Sequence, residues 1–171
     1  MSRAVTINPC PSARATGEPG VSVVTAGPGL SDSVTGVAEA FTAGIPMIQF
    51  GGRTPLRDFD RGALQDMDQL RLMEPITKWA RPVYDAKRLP EYVSMAFRIA
   101  KSGTPGPVYI ECPIDILSAK VDENQVVFPE HYYAENDSGG SPAKIRQAVE
   151  LLLKAERPVV MAGNGLFWTR G

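Results

Sequence analysis

The sequence is poor in the residues that build metal sites and disulfide frameworks. It has one histidine, His131, and two cysteines, Cys10 and Cys112, among 171 residues. The cysteines are far apart and in unlike contexts, so neither a disulfide framework nor a metal site is predicted. Cys112 lies in an apolar run and is predicted to be a buried filler. His131 has no Cys or His at ligand spacing, so we assign it no chemistry.

An excess of charge and a long apolar run are also missing. The formal net charge is -1, with 43% hydrophobic and 22% charged residues, which provides no basic field for nucleic acid or an anionic membrane. No apolar stretch approaches the roughly 20 residues of a membrane span, and the N-terminus lacks the apolar core of a signal peptide. The composition therefore predicts a cytoplasmic globular protein with neither nucleic acid nor membrane as a partner.

What the sequence does contain is short apolar runs separated by helical patterns. The runs are nearly continuous rather than alternating, as expected of strands buried on both faces of a parallel sheet. They cover residues 21–26, 46–51, 106–112 and 157–163. Apolar residues at three- and four-residue spacing predict helices over 31–43 and 90–101, and a shorter helix over 67–75 precedes a short strand in "TKWARPV". The fold class predicted is α/β, a parallel sheet with flanking helices.

A polar stretch divides the pattern into two unequal parts. Residues 118–140 carry no sustained period and are predicted to be a linker. Ser141 and Pro142 then open a helix with an apolar face, and the run at 157–163 follows. We therefore expect an irregular segment at 1–12, one domain at 13–117, the linker, and the start of a second domain at 141–171. Because residues 141–171 are too few to bury a core of their own, the sequence is expected to be a fragment of a longer protein.

The Gly27-Pro28-Gly29 turn is a candidate binding element. It follows a predicted strand and precedes a predicted helix, where backbone N–H groups and the helix dipole attract an anion or a polar ligand edge. It does not fit a dinucleotide fingerprint, because Asp32 stands where the third glycine belongs. The alternative is a tight turn that needs glycine for steric reasons alone.

Two further features each leave alternatives open. The segment 61–83 is dense in polar side chains near apolar anchors and is either a functional loop or a solvated connection. Glu111 is a carboxylate on a strand otherwise fit for the interior. It lies at the strand's exposed end, is paired, or is an acid with a tuned pKa.

Several ordered motifs together resemble one family. They are "ARATGEPGVSVVTAGPG", "GIPMIQFGG", "LQDMDQ", "ITKWA", "GTPGPVYIECPIDI" and "ERPVVMAGNG". Their order and spacing are similar to those of thiamine-diphosphate enzymes of the acetolactate synthase, benzaldehyde lyase and 2-hydroxyacyl-CoA lyase group. The resemblance runs from Ala13 to about Trp168. It implies an incomplete pyrimidine-binding domain followed by the start of the central domain.

The resemblance also implies roles for particular residues. Gly27, Pro28 and Gly29 would lie at the rim of the coenzyme crevice, against its aminopyrimidine end. Gln65 would point to the substrate side, and Lys78 would line the entrance near a subunit interface. The full-length protein would be a homodimer or homotetramer that binds thiamine diphosphate and Mg²⁺, with the metal ligands in another domain.

The resemblance also implies that some functional residues of the family lie outside the region matched here. The family's catalytic glutamate precedes the region matched here, so no catalytic residue is assigned, and no metal ligand is assigned either. The resemblance leaves FAD open, but Glu91 stands where relatives often have arginine and weakens the case for flavin.

The function implied is decarboxylation of a 2-keto acid and carboligation, as in acetolactate synthase, by the whole protein and not by this chain alone. A 2-hydroxyacyl-CoA lyase or aldehyde lyase acting on an acyl substrate is the alternative within the family. A non-catalytic α/β module that binds a nucleotide or regulates a partner is the alternative from another class.

Overall fold

A computed structural model describes residues 10–130 and 139–169 of the chain. The chain divides into two compact units, Met1–Tyr132 and Tyr133–Gly171, and each is described here by itself. The boundary lies inside the polar stretch predicted to be a linker, within which Glu123–Gln125 form a short 3₁₀ helix. His131 lies outside the described residues.

The first unit is built on a four-stranded parallel sheet, as predicted. Its strands are β1 (Gly20–Val24), β2 (Met47–Arg53), β3 (Trp79–Pro82) and β4 (Pro107–Pro113), in the order β1-β2-β4-β3. Val21 pairs with Ile48, and Ile48 pairs with Val108. All seven residues of β4 are buried, which explains why its sequence shows no polar alternation. The α/β fold class is confirmed.

The helices follow the predicted pattern with shifted ends. They are α1 (Cys10–Thr16), α2 (Pro28–Thr42), α3 (Gln69–Met73), α4 (Leu89–Lys101) and α5 (Ile114–Leu117). The second helix begins three residues earlier than expected, because a proline at its first position needs no N–H partner. The first helix includes residues 10–12, which the sequence analysis places in an irregular segment.

One hydrophobic cluster of the first unit lies between β2, β4 and α4. Ile48, Val108 and Ile110 on the strands are fully buried against Ala96 and Ala100 of the helix. Leu89, Tyr92, Phe97 and Ile99 of α4 are partly buried against the same cluster, which explains the apolar stripe of that helix. Cys112 is 5% exposed and belongs to this core, as predicted for a buried filler.

The second unit contains α6 (Pro142–Lys154) and α7 (Asn164–Thr169). The strand predicted over 157–163 is wrong, because these residues form no regular element. Val159, Val160 and Met161 are 90%, 77% and 94% exposed. A strand is stabilised by hydrogen bonds to a neighbouring strand, and none of the described residues of this unit provides one.

No helix in the described ranges combines the length and the apolar character that crossing a bilayer requires.

Candidate functional site

A pocket of about 390 Å³ lies where β1, β2 and β4 end. This edge of a parallel sheet is where open α/β folds bind ligands. Most of the pocket wall is apolar. Its lining residues are Thr25, Ala26, Gly52, Arg53, Thr54, Pro55, Asp58, Ala63, Leu64, Gln65, Cys112, Ile114 and Leu117. Burial raises the pKa of the Cys112 thiol to about 11, so at neutral pH this cysteine is an uncharged part of the wall.

The Gly27-Pro28-Gly29 turn lies beside this pocket, where Gly27 caps α2 and Pro28 and Gly29 are the first two residues of that helix. Gly27 has φ of 63°, a conformation that favours glycine. Its carbonyl accepts hydrogen bonds from the N–H groups of Leu30 and Ser31, both at 3.0 Å. A side chain on Gly29 would place its Cβ 2.5 Å from the Thr25 methyl group. The turn therefore needs glycine at both positions, for backbone conformation and for space.

The expectation that this turn offers its N–H groups to a ligand is wrong for its first residue. The Gly27 N–H donates to Gln69 Oε1 at 2.7 Å, and Pro28 has no N–H. A bound group would therefore meet a turn whose first donor is already used inside the protein.

Gln65 lies directly against the turn. A Cβ built on Gly27 would be 3.0 Å from the Gln65 Cβ, and Gln65 lines the pocket. Gln65 itself has φ of 62°, which is uncommon for a residue other than glycine and concentrates at functional sites. The structure thus brings together the turn and Gln65, which the sequence analysis selected separately.

Glu111 is paired, so the alternative that placed it at an exposed end of its strand is wrong. Its side chain is fully buried, and Oε2 lies 2.6 Å from Arg53 Nη1. Gln69 Nε2 donates to Oε1 at 3.2 Å, and the Tyr109 hydroxyl lies 3.5 Å from the same oxygen. Burial and the nearby Glu111 charge raise the pKa of Tyr109. The phenol therefore stays protonated and able to donate.

Arg53 completes this cluster and connects it to the pocket. Its guanidinium carbon lies 3.6 Å from the centre of the Phe59 ring, a cation–π contact, and its side chain is 11% exposed. The sequence analysis gave Arg53, Tyr109 and Gln69 no role. The only signal for such a cluster was the buried carboxylate itself, which requires partners.

Lys78 lies at the opposite edge of the sheet, just before β3. Its Nζ donates to the carbonyl oxygens of Ile99 at 2.6 Å and Ser102 at 2.5 Å, at the C-terminal end of α4. Burial lowers the pKa of its ammonium group. It lines a second pocket with Phe41 and residues 102–105, so the structure does not bring Lys78 together with Gly27 and Gln65.

The segment 61–83 combines both alternatives considered for it. Asp68 accepts a hydrogen bond from the Arg71 N–H and begins α3, and both side chains are largely exposed. Gln65 and Gln69 instead face the interior side of the segment. Over the described residues, no group of three His, Cys, Asp or Glu side chains is arranged to hold a metal ion.

Comparisons with known proteins match the chain to one enzyme family. Residues 11–72 match the model described as "Thiamine pyrophosphate enzyme, N-terminal TPP binding domain". This range includes the turn, Gln65 and Gln69.

Three relatives illustrate the similarity over most of the chain. A probable acetolactate synthase large subunit of Methanocaldococcus jannaschii is 37% identical over 157 residues, which are 90% of this chain and 27% of that protein. The acetolactate synthase isozyme 3 large subunit of Escherichia coli is 34% identical, over 90% of this chain and 27% of that protein. A 2-hydroxyacyl-CoA lyase of Arabidopsis thaliana is 33% identical, over 91% and 28%. The chain thus spans about a quarter of the length of these relatives.

Proposed function

We propose that this chain, whose residues 11–72 belong to the N-terminal TPP binding domain of the thiamine pyrophosphate enzymes, supplies the pyrimidine-binding part of an enzyme of acetolactate synthase type. The whole enzyme decarboxylates a 2-keto acid, pyruvate first among the candidates, and joins the remaining fragment to an acceptor. The chain alone is inactive. The proposal is supported by similarity to acetolactate synthase large subunits over 90% of the chain.

The observation that carries the proposal is that Gln65, which lines the pocket, packs against Gly27. The pocket volume of about 390 Å³ accommodates an aminopyrimidine ring between mostly apolar walls. The wall is closely packed at Gly52, because a Cβ there would lie 3.2 Å from the Ala26 nitrogen. The residues present therefore fit the ring. Gly27, Pro28 and Gly29 would hold it, and Gln65 would face the substrate.

Thiamine diphosphate, when bound, supplies the electron sink that carbon–carbon bond cleavage and formation next to a carbonyl require. The residues of this chain bind and orient. The turn presents a fixed surface, Gln65 offers an amide that both donates and accepts, and Ala26 and Leu64 add apolar surface. No described residue is assigned a proton transfer.

The remaining parts of the proposal concern the whole protein. Mg²⁺ would be held with the diphosphate by another domain, and the assembly would be a homodimer or homotetramer in the cytoplasm. Lys78 at an entrance between subunits stays a prediction, and FAD stays open.

The test is acetolactate formation from pyruvate. The open reading frame is extended on both sides in the source DNA and expressed, and the product is measured with thiamine diphosphate and Mg²⁺ present. We expect acetolactate from the extended protein and none from residues 1–171. An extended protein that binds thiamine diphosphate but leaves pyruvate unconsumed would contradict the proposed reaction.

A 2-hydroxyacyl-CoA lyase is the second candidate, because a relative of that name matches 91% of this chain. The same extended protein is assayed for cleavage of a 2-hydroxyacyl-CoA into formyl-CoA and an aldehyde. Turnover of this substrate without acetolactate formation would select the second candidate.

A further inference from the structure

We propose that Gln69 is a positioning residue: the Glu111 carboxylate orients its amide, and the oriented amide fixes Gly27, against which the pocket residue Gln65 packs. The inference rests on the proposed function, since it concerns how that pocket keeps its shape for a pyrimidine ring. Gln69 does not line the pocket, so its effect on a ligand is indirect.

One side-chain amide contacts the ends of three strands. Gln69 is fully buried. Its Oε1 accepts from the Gly27 N–H at 2.7 Å, and its Nε2 donates to the Gly52 carbonyl at 2.8 Å and to Glu111 Oε1 at 3.2 Å. The three partners lie just after β1, on β2 and on β4.

Only one of the two orientations of this amide satisfies its partners. The Gly27 N–H only donates, while the Gly52 carbonyl and the Glu111 carboxylate, which forms an ion pair with Arg53, only accept. A reversed amide would place Nε2 against the N–H and Oε1 against two acceptors. Because the site is buried, each lost hydrogen bond would cost the desolvation of its groups. Arg53 Nη1 lies 2.6 Å from the other carboxylate oxygen of Glu111.

The oriented amide affects the pocket through Gly27. The turn is held on one side by Gln69 and on the other by the N–H groups of Leu30 and Ser31. Gln65, which lines the pocket, packs against Gly27. A change in amide orientation is therefore expected to shift Gln65, one residue of the pocket wall, without removing any residue that lines the pocket.

The test uses Glu111→Gln in the whole chain. The scalar coupling across the hydrogen bond from the Gly27 ¹⁵N to the Gln69 side-chain carbonyl ¹³C is measured by NMR. We expect this coupling in the wild type and a smaller coupling in E111Q, because only the Gly27 N–H and the Gly52 carbonyl then favour this orientation of Gln69. The Gly27 amide is expected to exchange with solvent about tenfold faster in the variant.

The matched control is Glu74→Gln, the same chemical change at an exposed position, which should leave the coupling unchanged. If E111Q does not fold, measurements on the wild type still test the orientation of the Gln69 amide. Nuclear Overhauser contacts should place the Gln69 Nε2 protons near Tyr109. A Gln69 amide in the reverse orientation, or an unchanged coupling in folded E111Q, would overturn the inference.

Binding separates this inference from the proposed function. The probe is 4-amino-5-hydroxymethyl-2-methylpyrimidine, titrated calorimetrically into the wild type and E111Q. We expect binding to E111Q to be weaker by up to about tenfold, because the hydrogen bond from the Gly27 N–H to Gln69 is weakened. Equal affinity despite a reduced coupling would refute the positioning role. If the wild type binds no pyrimidine, the proposed function of this pocket fails, and the orientation of Gln69 is then decided by the coupling alone.

Discussion

The two units of the chain follow the same sequence pattern and reach different structures. In the first unit, the apolar runs pair into a parallel sheet and helix α4 packs its apolar stripe onto the sheet. In the second, helix α6 forms, but Leu151 and Leu153 are 71% and 82% exposed and the run at 157–163 does not pair. The pattern is thus sufficient for a helix and insufficient for a strand.

The difference follows from where each element finds its hydrogen bonds. A helix satisfies its backbone groups within its own segment, whereas a strand needs a neighbour. Residues 106–112 have neighbours on both sides, because β4 pairs with β2 and β3. Residues 157–163 have a similar composition and no pairing strand within the described part of their unit. Three predictions test this contrast between a partnered and an unpartnered unit.

The largest effect is expected where the first unit depends on a buried partner. Arg53→Met removes the cation that faces the fully buried Glu111 and keeps much of the side-chain volume. Breaking a buried ion pair from one side costs about 3–5 kcal/mol in unfolding free energy. The measurement is urea unfolding of the whole chain, followed by tryptophan fluorescence.

The double variant Arg53→Met/Glu111→Met is the control for that experiment. It removes both charges, and Gln69 keeps its hydrogen bond to the Gly52 carbonyl. We expect the double variant to be more stable than Arg53→Met alone, because no isolated charge remains buried. A double variant that is less stable would show that the charge pair is not the cause.

A smaller effect is expected at the turn. Gly27→Ala forces a residue with a Cβ to φ of 63° and brings that Cβ within 3.0 Å of Gln65. The left-handed conformation alone costs roughly 1–2 kcal/mol. Gly103→Ala is the matched control, since its φ is 57° and no atom lies within 4 Å of the added Cβ.

The difference between the two glycine variants isolates the contact with Gln65. We expect Gly27→Ala to lower the midpoint of thermal unfolding more than Gly103→Ala does. Equal losses would mean that backbone conformation is the whole cause and that Gln65 moves away from the added Cβ at no cost in stability.

The elements of the first unit could be predicted because their signals are local. Apolar runs gave the strands, and the spacing of Val93, Ala96, Phe97 and Ala100 gave α4, which the structure confirms as Leu89–Lys101. Helix α7 was missed, because "GNGLFW" is short and opens with two glycines around an asparagine. Its apolar residues are too few to show a helical period.

The site could be predicted only in part, because its geometry depends on the tertiary structure. Gly27 carries a signal in the sequence, since glycine after a strand indicates a tight turn. Gln69 carries no such signal, because its role depends on hydrogen bonds to Gly27 and Glu111, each 42 residues away in the sequence. Lys78 was assigned by its motif to an entrance near a subunit interface, and in the structure it lies just before β3, at the other edge of the sheet from Gly27 and Gln65.

The smallest effect is expected in the second unit. Leu153→Ala truncates a side chain that is 82% exposed, so the unfolding free energy should change by no more than about 0.5 kcal/mol. Leu30→Ala is the matched control, the same substitution in helix α2 at a fully buried position, where a loss of about 2–5 kcal/mol is expected. Both are measured by urea unfolding with circular dichroism. If Leu153→Ala cost as much as Leu30→Ala, the apolar face of α6 would be buried in solution. The two units would then differ in the packing contacts that the structure describes and not in how well each of them is folded.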